Sequence, residues 1–395
     1  MKILVCWDFG WGIGHVNHIL APARELVRRG ADVTFAIYSS QFIRHFKDLR
    51  DRTFVHAPVS AFFLRPRSEP LLGDRSSYAA LLNNAGFCEP DYVRFFTQSY
   101  DALFSLYKPD CVIAEHSPAA MLSAYLAGIP AVATGNGATV PDHDGRRFLP
   151  KANNQADDAA PANAYVLERL NDALRACGKR PLVNLPDFMP AGRLFAMCPR
   201  DFDFYADRTA GTVVPPAEMI AEQAPPPGQR DEVFSYFQLT GHTGDLAMAA
   251  LASLDMPRRA YFSILAGKDL DILRNRDVMV SETPVPPLDI IRRSRVMLNS
   301  GNGGTVIQAA MAGLYQVIIP TDPERMLHAR AAERLGCATV LDPKGLKVPD
   351  IMDAVNTAYE AHAFDDKLPA LSARLLSECS QGPGEAIAER VLSLC

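Results

Sequence analysis

Several things this sequence lacks already exclude whole classes of function. Its eight cysteines (Cys6, Cys88, Cys111, Cys177, Cys198, Cys337, Cys379 and Cys395) are scattered and form no CxxC pair. That excludes a disulfide framework and a cysteine zinc site, and it predicts a reducing compartment. Basic charge is not in excess: 40 Lys and Arg stand against 45 Asp and Glu, a net charge of −5. Nucleic acid and anionic membrane surfaces are therefore not the expected partners. No apolar run reaches bilayer length, since the most hydrophobic stretch, 118–133, is broken by Gly128 and Pro130. The short apolar run after Met1-Lys2 ends at Asp8, so no secretory leader is expected and the protein is read as cytoplasmic. No glycine loop carries GKS or GKT, which excludes a P-loop. The first glycine loop, GWGIGH, has His15 where a dinucleotide fingerprint needs its last glycine. The following strand ends in Tyr38-Ser39-Ser40, without the acid that would hold a ribose. Nicotinamide and flavin are disfavoured accordingly, and no resident cofactor is expected.

What is present is a rhythm. With 395 residues, at roughly 150 per domain, two domains are expected. KILVCW (2–7) is an apolar run of the kind buried on both faces of a parallel sheet. A glycine turn follows, then helical periodicity over 15–30 and a second strand over 31–38. The alternation continues through a short helix at 40–50, a largely helical, aromatic-rich 76–107, and strands at 110–116, 129–135 and 194–199. A stretch with five prolines and no aromatics, 206–231, reads as an interdomain connection. Strands are then expected at 233–239, 259–267, 277–282, 295–299 and 315–320, with helices among them and two more at 367–379 and 384–394. The fold class is α/β: two consecutive Rossmann-like units with parallel sheets about a cleft. The domains are 1–205, a linker 206–231 and 232–380, with a terminal helix in 381–395 expected to pack back on the first domain.

Two loops carry chemistry. SGNGGT (Ser300, Gly301, Asn302, Gly303, Gly304, Thr305) lies between an apolar strand and a helix. Glycines let a ligand approach the backbone, and a helix start offers unpaired N–H groups and a positive dipole end, which suits a diphosphate. The plain alternative is a tight strand-to-helix turn. In the first loop His15 stands where strand becomes helix, at the sheet edge where α/β proteins place ligands. An imidazole there can act as a general base near neutral pH; helix capping is the bland alternative. His18, three residues on, shares that face or is a satisfied helix histidine. Glu115 ends another apolar strand at the same edge, where a carboxylate could orient the imidazole. Asp142, His143 and Asp144 cluster in a loop and read as solvated rather than metal-binding. Phe62, Phe63, Tyr78, Phe87, Tyr92, Phe95 and Phe96 form either an acceptor pocket or ordinary core.

The GxGH loop after the first strand, the proline-rich connection, and a glycine loop followed by AGxxQVxxP together resemble the GT-B nucleotide-sugar glycosyltransferases. The likeness is to the inverting group that includes plant and antibiotic-pathway enzymes. It covers nearly the whole chain, most specifically over 285–336. The resemblance implies sugar transfer, with inversion, from a UDP- or TDP-sugar co-substrate to a hydroxyl or amine of a small-molecule acceptor. It places the catalytic histidine on His15 and its supporting acid on Glu115. It places the diphosphate loop on Ser300 through Thr305, the ribose-contact position on Gln308, the sugar-binding pair on Glu324 and Arg325, and a small-residue loop on Thr240-Gly241. Trp11, Phe62, Phe63 and Phe87 are the implied acceptor contacts. The sequence also departs from the pattern. Ser300 stands where the family has a histidine donating to the diphosphate, Arg325 where it has glutamine, and Pro284 and Pro287 near the base-stacking positions. Other readings on this fold are a catalytically silent nucleotide-binding homologue, a nucleotide-sugar epimerase, and a DNA-glucosylating enzyme, the last opposed by the charge.

Overall fold

The structure is a computed structural model. It describes residues 1–10, 12–59, 76–137, 139–142, 159–205, 207–217, 223–225, 229–237, 241–262, 267–361, 367–380 and 382–395. Trp11, Phe62, Phe63, His143, Asp144 and Thr240 lie outside these residues.

The chain divides into two compact units, 1–217 with 381–395, and 218–380. The first is built on a seven-stranded parallel sheet: β1 (Lys2–Cys6), β2 (Asp32–Ile37), β3 (Thr53–His56), β4 (Cys111–Glu115), β5 (Ala131–Gly135), β6 (Leu194–Met197) and β7 (Thr212–Val214). Their order in the sheet is β3-β2-β1-β4-β5-β6-β7. Helices cover both faces, so the central strands are largely apolar, and β4 and β5 are buried at every position, the polar Glu115 and Thr134 included. One core layer joins Ile3, Val5 and Trp7 of the first strand and its end to Ile19, Ala23 and Leu26 of the helix Ile13–Arg28. Ile387, Ala388 and Val391 of the helix Pro383–Leu394 complete it. Burying each such aliphatic side chain stabilises the unit by about 1.5–3 kcal/mol. The terminal helix lies against Ile13–Arg28 so closely that a Cβ on Gly384 would run into the Ala21 carbonyl. A larger residue at 384 would lever the two helices apart.

The second unit has a six-stranded parallel sheet of β8 (Glu232–Phe237), β9 (Arg258–Phe262), β10 (Met279–Ser281), β11 (Ser294–Asn299), β12 (Tyr315–Ile318) and β13 (Ala338–Val340), in the order β10-β9-β8-β11-β12-β13. In both sheets the strand order reverses beside the first strand, between β1 and β4 and between β8 and β11. Loops leaving the carboxyl ends of the two strands at such a switch point diverge, which opens the crevice where α/β proteins bind ligands.

The expected elements differ from the observed ones at the edges. Residues 206–231 do not act as one free connection. Within them β7 adds the last strand of the first sheet, while the Ala224 amide donates to the Ala312 carbonyl (2.8 Å) and Arg230 to the Ser294 carbonyl (2.9 Å) inside the second unit. Of the strand expected over 259–267, β9 forms the part to Phe262, residues 263–266 lie outside the described residues, and Gly267 opens a helix, Gly267–Arg274, that precedes β10. β13 and the helix Val348–Glu360 had no counterpart in the sequence reading. Three-residue strands such as β7 and β13 are too short for periodicity to register.

Candidate active site

In the first unit the parallel register pairs Cys6 with Ala114. One step further along both strands Trp7 is therefore level with Glu115, and two steps further Asp8 is level with His116. The chain then turns through Gly10 (φ +85°) and Gly12 (φ +133°) into the helix Ile13–Arg28. His15 and His18, three residues apart on that helix, share a face. Both reach Glu115. His15 Nδ1 lies 3.0 and 2.9 Å from the two Glu115 oxygens, and His18 Nδ1 lies 3.0 Å from Oε1. Glu115 is wholly buried while each imidazole keeps 18% exposure. Gly135, at φ +148°, makes room for Thr139, whose hydroxyl a Cβ there would strike, while Glu115 Oε1 would be in ordinary contact at 3.4 Å.

Burial pushes the Glu115 carboxyl up, but the neighbouring His15 and the hydrogen bonds from His15 and His18 outweigh it and bring the group to about 2. An ionised carboxylate only accepts, so each Nδ1 carries a proton and donates. Nε2 of His15 is then the basic atom. It faces the α-carbon of Gly10: a Cβ there would lie 2.7 Å from His15 Nε2 and 2.8 Å from His116 Nδ1. A side chain at position 10 would cover that nitrogen, which together with the left-handed backbone accounts for the glycine.

The structure also brings in residues that the sequence reading did not select. Asp8 is buried and accepts from the Tyr100 hydroxyl (2.8 Å) and from Ser117 Oγ. Burial raises its carboxyl to about 7, against the hydrogen bonds from Ser117 and Tyr100 that lower it. His116 takes a positive φ of 41°, and both of its ring nitrogens are buried. The signal that could have found these two is positional, because they stand one and two residues beyond the ends of the strands at the switch point, His116 after β4 and Asp8 after β1.

In the second unit the helices His242–Ser253 and Gly303–Met311 start at the carboxyl ends of the adjacent strands β8 and β11. The N-cap positions are Gly241 (φ +83°) and Asn302, and neither places a side chain on the first amides of its helix. The 300–305 loop is fixed from below by buried amides. Asn299 Oδ1 accepts from the Gly301 amide (2.9 Å), Asn299 Nδ2 donates to Gln316 Oε1 (3.0 Å), and Gln316 Nε2 donates to the Val306 carbonyl (3.1 Å). Gln316, the glutamine of the AGxxQVxxP signature, thus serves the loop rather than a ligand. Gly301 (φ +85°) passes close under Arg325, whose carbonyl would be 3.0 Å from a Cβ there, and a Cβ on Gly303 would be 2.5 Å from His328 Nε2. Gly304 meets open space, with Asn302 Oδ1 at 3.8 Å the nearest atom to its would-be Cβ. Gln308 and Thr305 are half-buried on the same helix, and Glu324 is exposed.

Arg325 is built into this loop. Its Nη1 donates to Ser300 Oγ (3.3 Å) and to Thr321 Oγ1 (2.6 Å), and its Nε lies 3.2 Å from Asp322 Oδ2. Asp322 caps the helix Pro323–Arg334 by accepting from the Arg325 amide (2.9 Å). The two departures from the family pattern, Ser300 and Arg325, therefore touch each other. A guanidinium bonded to Ser300 adds positive charge beside the loop and leaves the serine hydroxyl its own proton to donate.

Other expected residues are placed away from this chemistry. Phe87 is fully buried, its ring 5.1 Å from Phe96 and 6.3 Å from Tyr92, so it belongs to the core of its unit and presents no open face to an acceptor. Asp142 accepts from the Thr209 amide and hydroxyl and from the Ala210 amide, which makes it a clasp between two loops. Among the described residues no group of three or more metal-ligating side chains comes together, and no helix is long and apolar enough to cross a membrane.

No family model matches the chain. A Caenorhabditis elegans relative named "Putative UDP-glucuronosyltransferase ugt-60" is 30% identical over 105 residues, which is 26% of this chain and 20% of that protein. The chain thus spans about one fifth of that relative. Among solved structures, CalG4, the calicheamicin glycosyltransferase, superposes with a TM-score of 0.71 at 22% identity, covering 100% of this chain and 98% of its own. The glycosyltransferase VinC in complex with dTDP superposes with a TM-score of 0.67 at 16% identity, covering 100% and 99%. At this coverage, and with a parallel sheet in each unit reversing its order at the same place, the chain has the two-domain Rossmann-like GT-B fold of these glycosyltransferases.

Proposed function

We propose that this chain is an inverting glycosyltransferase that moves a sugar from a nucleoside diphosphate sugar, a UDP- or TDP-sugar, to a hydroxyl or amine of a small-molecule acceptor. The observation that carries the reading is the buried Glu115 carboxylate taking both Nδ1–H groups of His15 and His18 at the first switch point, which leaves His15 Nε2 as the base. The acceptor oxygen attacks the anomeric carbon, its proton passes to His15 Nε2, and the bond from that carbon to the diphosphate oxygen breaks. Glu115 stabilises the imidazolium so formed. The leaving diphosphate carries away the electron pair. The uncapped amides of Gly303, Gly304 and Thr305, the Ser300 hydroxyl and the Arg325 guanidinium are the groups assigned to that charge. The relative's name supports a uridine nucleotide and the VinC complex a thymidine one, so both belong in the test.

Incubated with UDP- and TDP-sugars and a panel of apolar hydroxylated acceptors, the protein is expected to form glycoside of inverted configuration. His15→Ala should lower turnover by about 10²–10⁴ while calorimetry finds UDP or TDP bound as tightly as before. Unchanged turnover would remove His15 from the reaction. Binding without transfer in the parent protein would favour a silent nucleotide-binding homologue.

A further inference from the structure

His15 is held by more than Glu115. Its ring stacks on Trp7, with centroids 5.2 Å apart and planes 24° from parallel, and on His116, at 5.4 Å and 27°. Among the described residues Trp7 and His116 make no ring contact with each other, so the imidazole is the middle ring of three. Each outer ring is itself fixed. Trp7 is fully buried and donates through Nε1 to the Phe9 carbonyl (2.8 Å). His116 packs edge-on against Phe9 (4.7 Å, 84°).

His116 is an unusual choice for packing. A histidine at φ +41° is strained, and strain of this kind persists where the surroundings enforce it, often beside a reacting group. Its ring nitrogens are buried and hydrogen-bond to nothing among the described residues, although buried polar atoms almost always find partners. The acids nearby are already engaged: Glu115 by His15 and His18, and Asp8 by Tyr100 and Ser117. Among the described residues no carboxylate hydrogen-bonds to His116. Burial, with His15 and His18 repelling a second cation against the attraction of Glu115, brings it to about 3, so it is neutral wherever the enzyme works.

We infer that Trp7 and His116 are positioning residues for His15: their faces hold its imidazole parallel and stabilise the imidazolium formed when it takes the acceptor proton, His116 doing so as a permanently neutral ring. An indole face attracts a cation most strongly of the aromatic side chains, and the attraction grows on desolvation. A second titrating histidine there would compete for the charge; the burial of His116, with no acid among the described residues hydrogen-bonded to its ring, prevents that. The inference rests on reading His15 as the base.

The test is a titration of the intact protein with its histidines labelled at Cε1, the His15 signal being assigned through His15→Gln. In the parent protein that signal is expected upfield of an unstacked histidine, because it lies in the ring current of Trp7. In Trp7→Leu the displacement should vanish and the His15 midpoint should fall by about half a pH unit, as a removed cation–π contact demands. Turnover should fall about three- to tenfold with the donor KM unchanged. His116→Leu should act in the same direction, and His116→Phe, which restores a neutral ring face, should return turnover to within about twofold of the parent. Three results would overturn the inference: no ring-current displacement in the parent, a midpoint unmoved in both leucine variants, or His116→Phe as inactive as His15→Ala. The first needs no variant to fold. The titration needs no turnover, so a parent protein that transfers no sugar would refute the functional reading and leave the stack to be judged separately.

Discussion

The two switch points have the same topology and opposite chemistry. The one between β1 and β4 is made of side chains, with three histidines, two buried carboxyls and a tryptophan packed within reach of one another. The one between β8 and β11 is made of backbone, with two helix starts that their N-cap side chains leave uncapped, four glycines and a guanidinium at the rim. Under the proposed function, the difference follows from what each would be asked to do. Moving a proton needs a group whose affinity can be set by its neighbours, and only side chains offer that. Receiving the charge of a leaving diphosphate needs many donors already aimed, and amides at a helix start supply them without titrating. Tuning is thus confined to one unit and preorganised polarity to the other.

The sharpest way to break that contrast is Glu115→Gln. A glutamine is nearly the same size, but only its oxygen accepts, so one of the two Nδ1–H groups must face an amide NH₂. To relieve that clash an imidazole would exchange its tautomer and turn the basic nitrogen inward. Turnover should fall by roughly two to four orders of magnitude, as it does when an orienting carboxylate is made an amide, with UDP or TDP affinity unchanged by calorimetry. A loss of nucleotide affinity in place of turnover would mean that the first switch point does not do proton chemistry.

Gly304→Val is the matching attack on the second switch point. A Cβ at 304 meets only open space, so the fold should tolerate it and the melting temperature should move by no more than a few degrees. The added methyls would stand where a diphosphate approaches the amides, and UDP or TDP affinity should drop about tenfold or more, worth roughly 1.4 kcal/mol per decade. Gly303→Val cannot make the same point, since it collides with His328 and would confuse folding with binding. If Gly304→Val binds normally, the loop is only a turn.

Much of this was legible in the sequence, and what was not has a common cause. β1, β4, β5, β8 and β11 were found because they are continuous apolar runs, and His15, Glu115 and the 300–305 loop because each ends such a run. Asp8, Trp7 and His116 were passed over because their significance depends on register. Nothing local says that Cys6 will lie beside Ala114, 108 positions away, and so set Trp7 level with Glu115. For Phe87 the sequence leaves core and acceptor pocket open, because spacing does not tell a core-facing ring from one lining a cavity. The pairing of Ser300 with Arg325 was hidden for the same reason as Asp8: two departures that look independent along the chain meet across a loop.

The contrast also predicts where the pH dependence of stability resides, a smaller effect but one with a sign. Asp8 holds its proton to about 7, against 3.8 ordinarily. Between those values the folded protein keeps a proton that the unfolded chain has released, so the stability Asp8 contributes is complete at low pH and lost as pH rises through 7. His116 works the other way. Held at about 3 against 6.5, it stays neutral in the fold while the unfolded chain gains a proton, so stability is lost as pH falls below 6.5. In the second unit burial raises Tyr236, Tyr315, Cys337 and Cys379 from already high values, and these four do not titrate between pH 4 and 8. Asp8→Asn should therefore gain on the parent as pH rises, with thermal melts at pH 5, 7 and 8.5 showing a difference that grows to a few kcal/mol at most. The neutral amide still offers an oxygen to Tyr100 and Ser117, so the gain at pH 8.5 measures the removal of a buried charge and not a repacked core. Parallel curves for Asp8→Asn and the parent would place the titrating groups outside the first switch point and dissolve the distinction between the two.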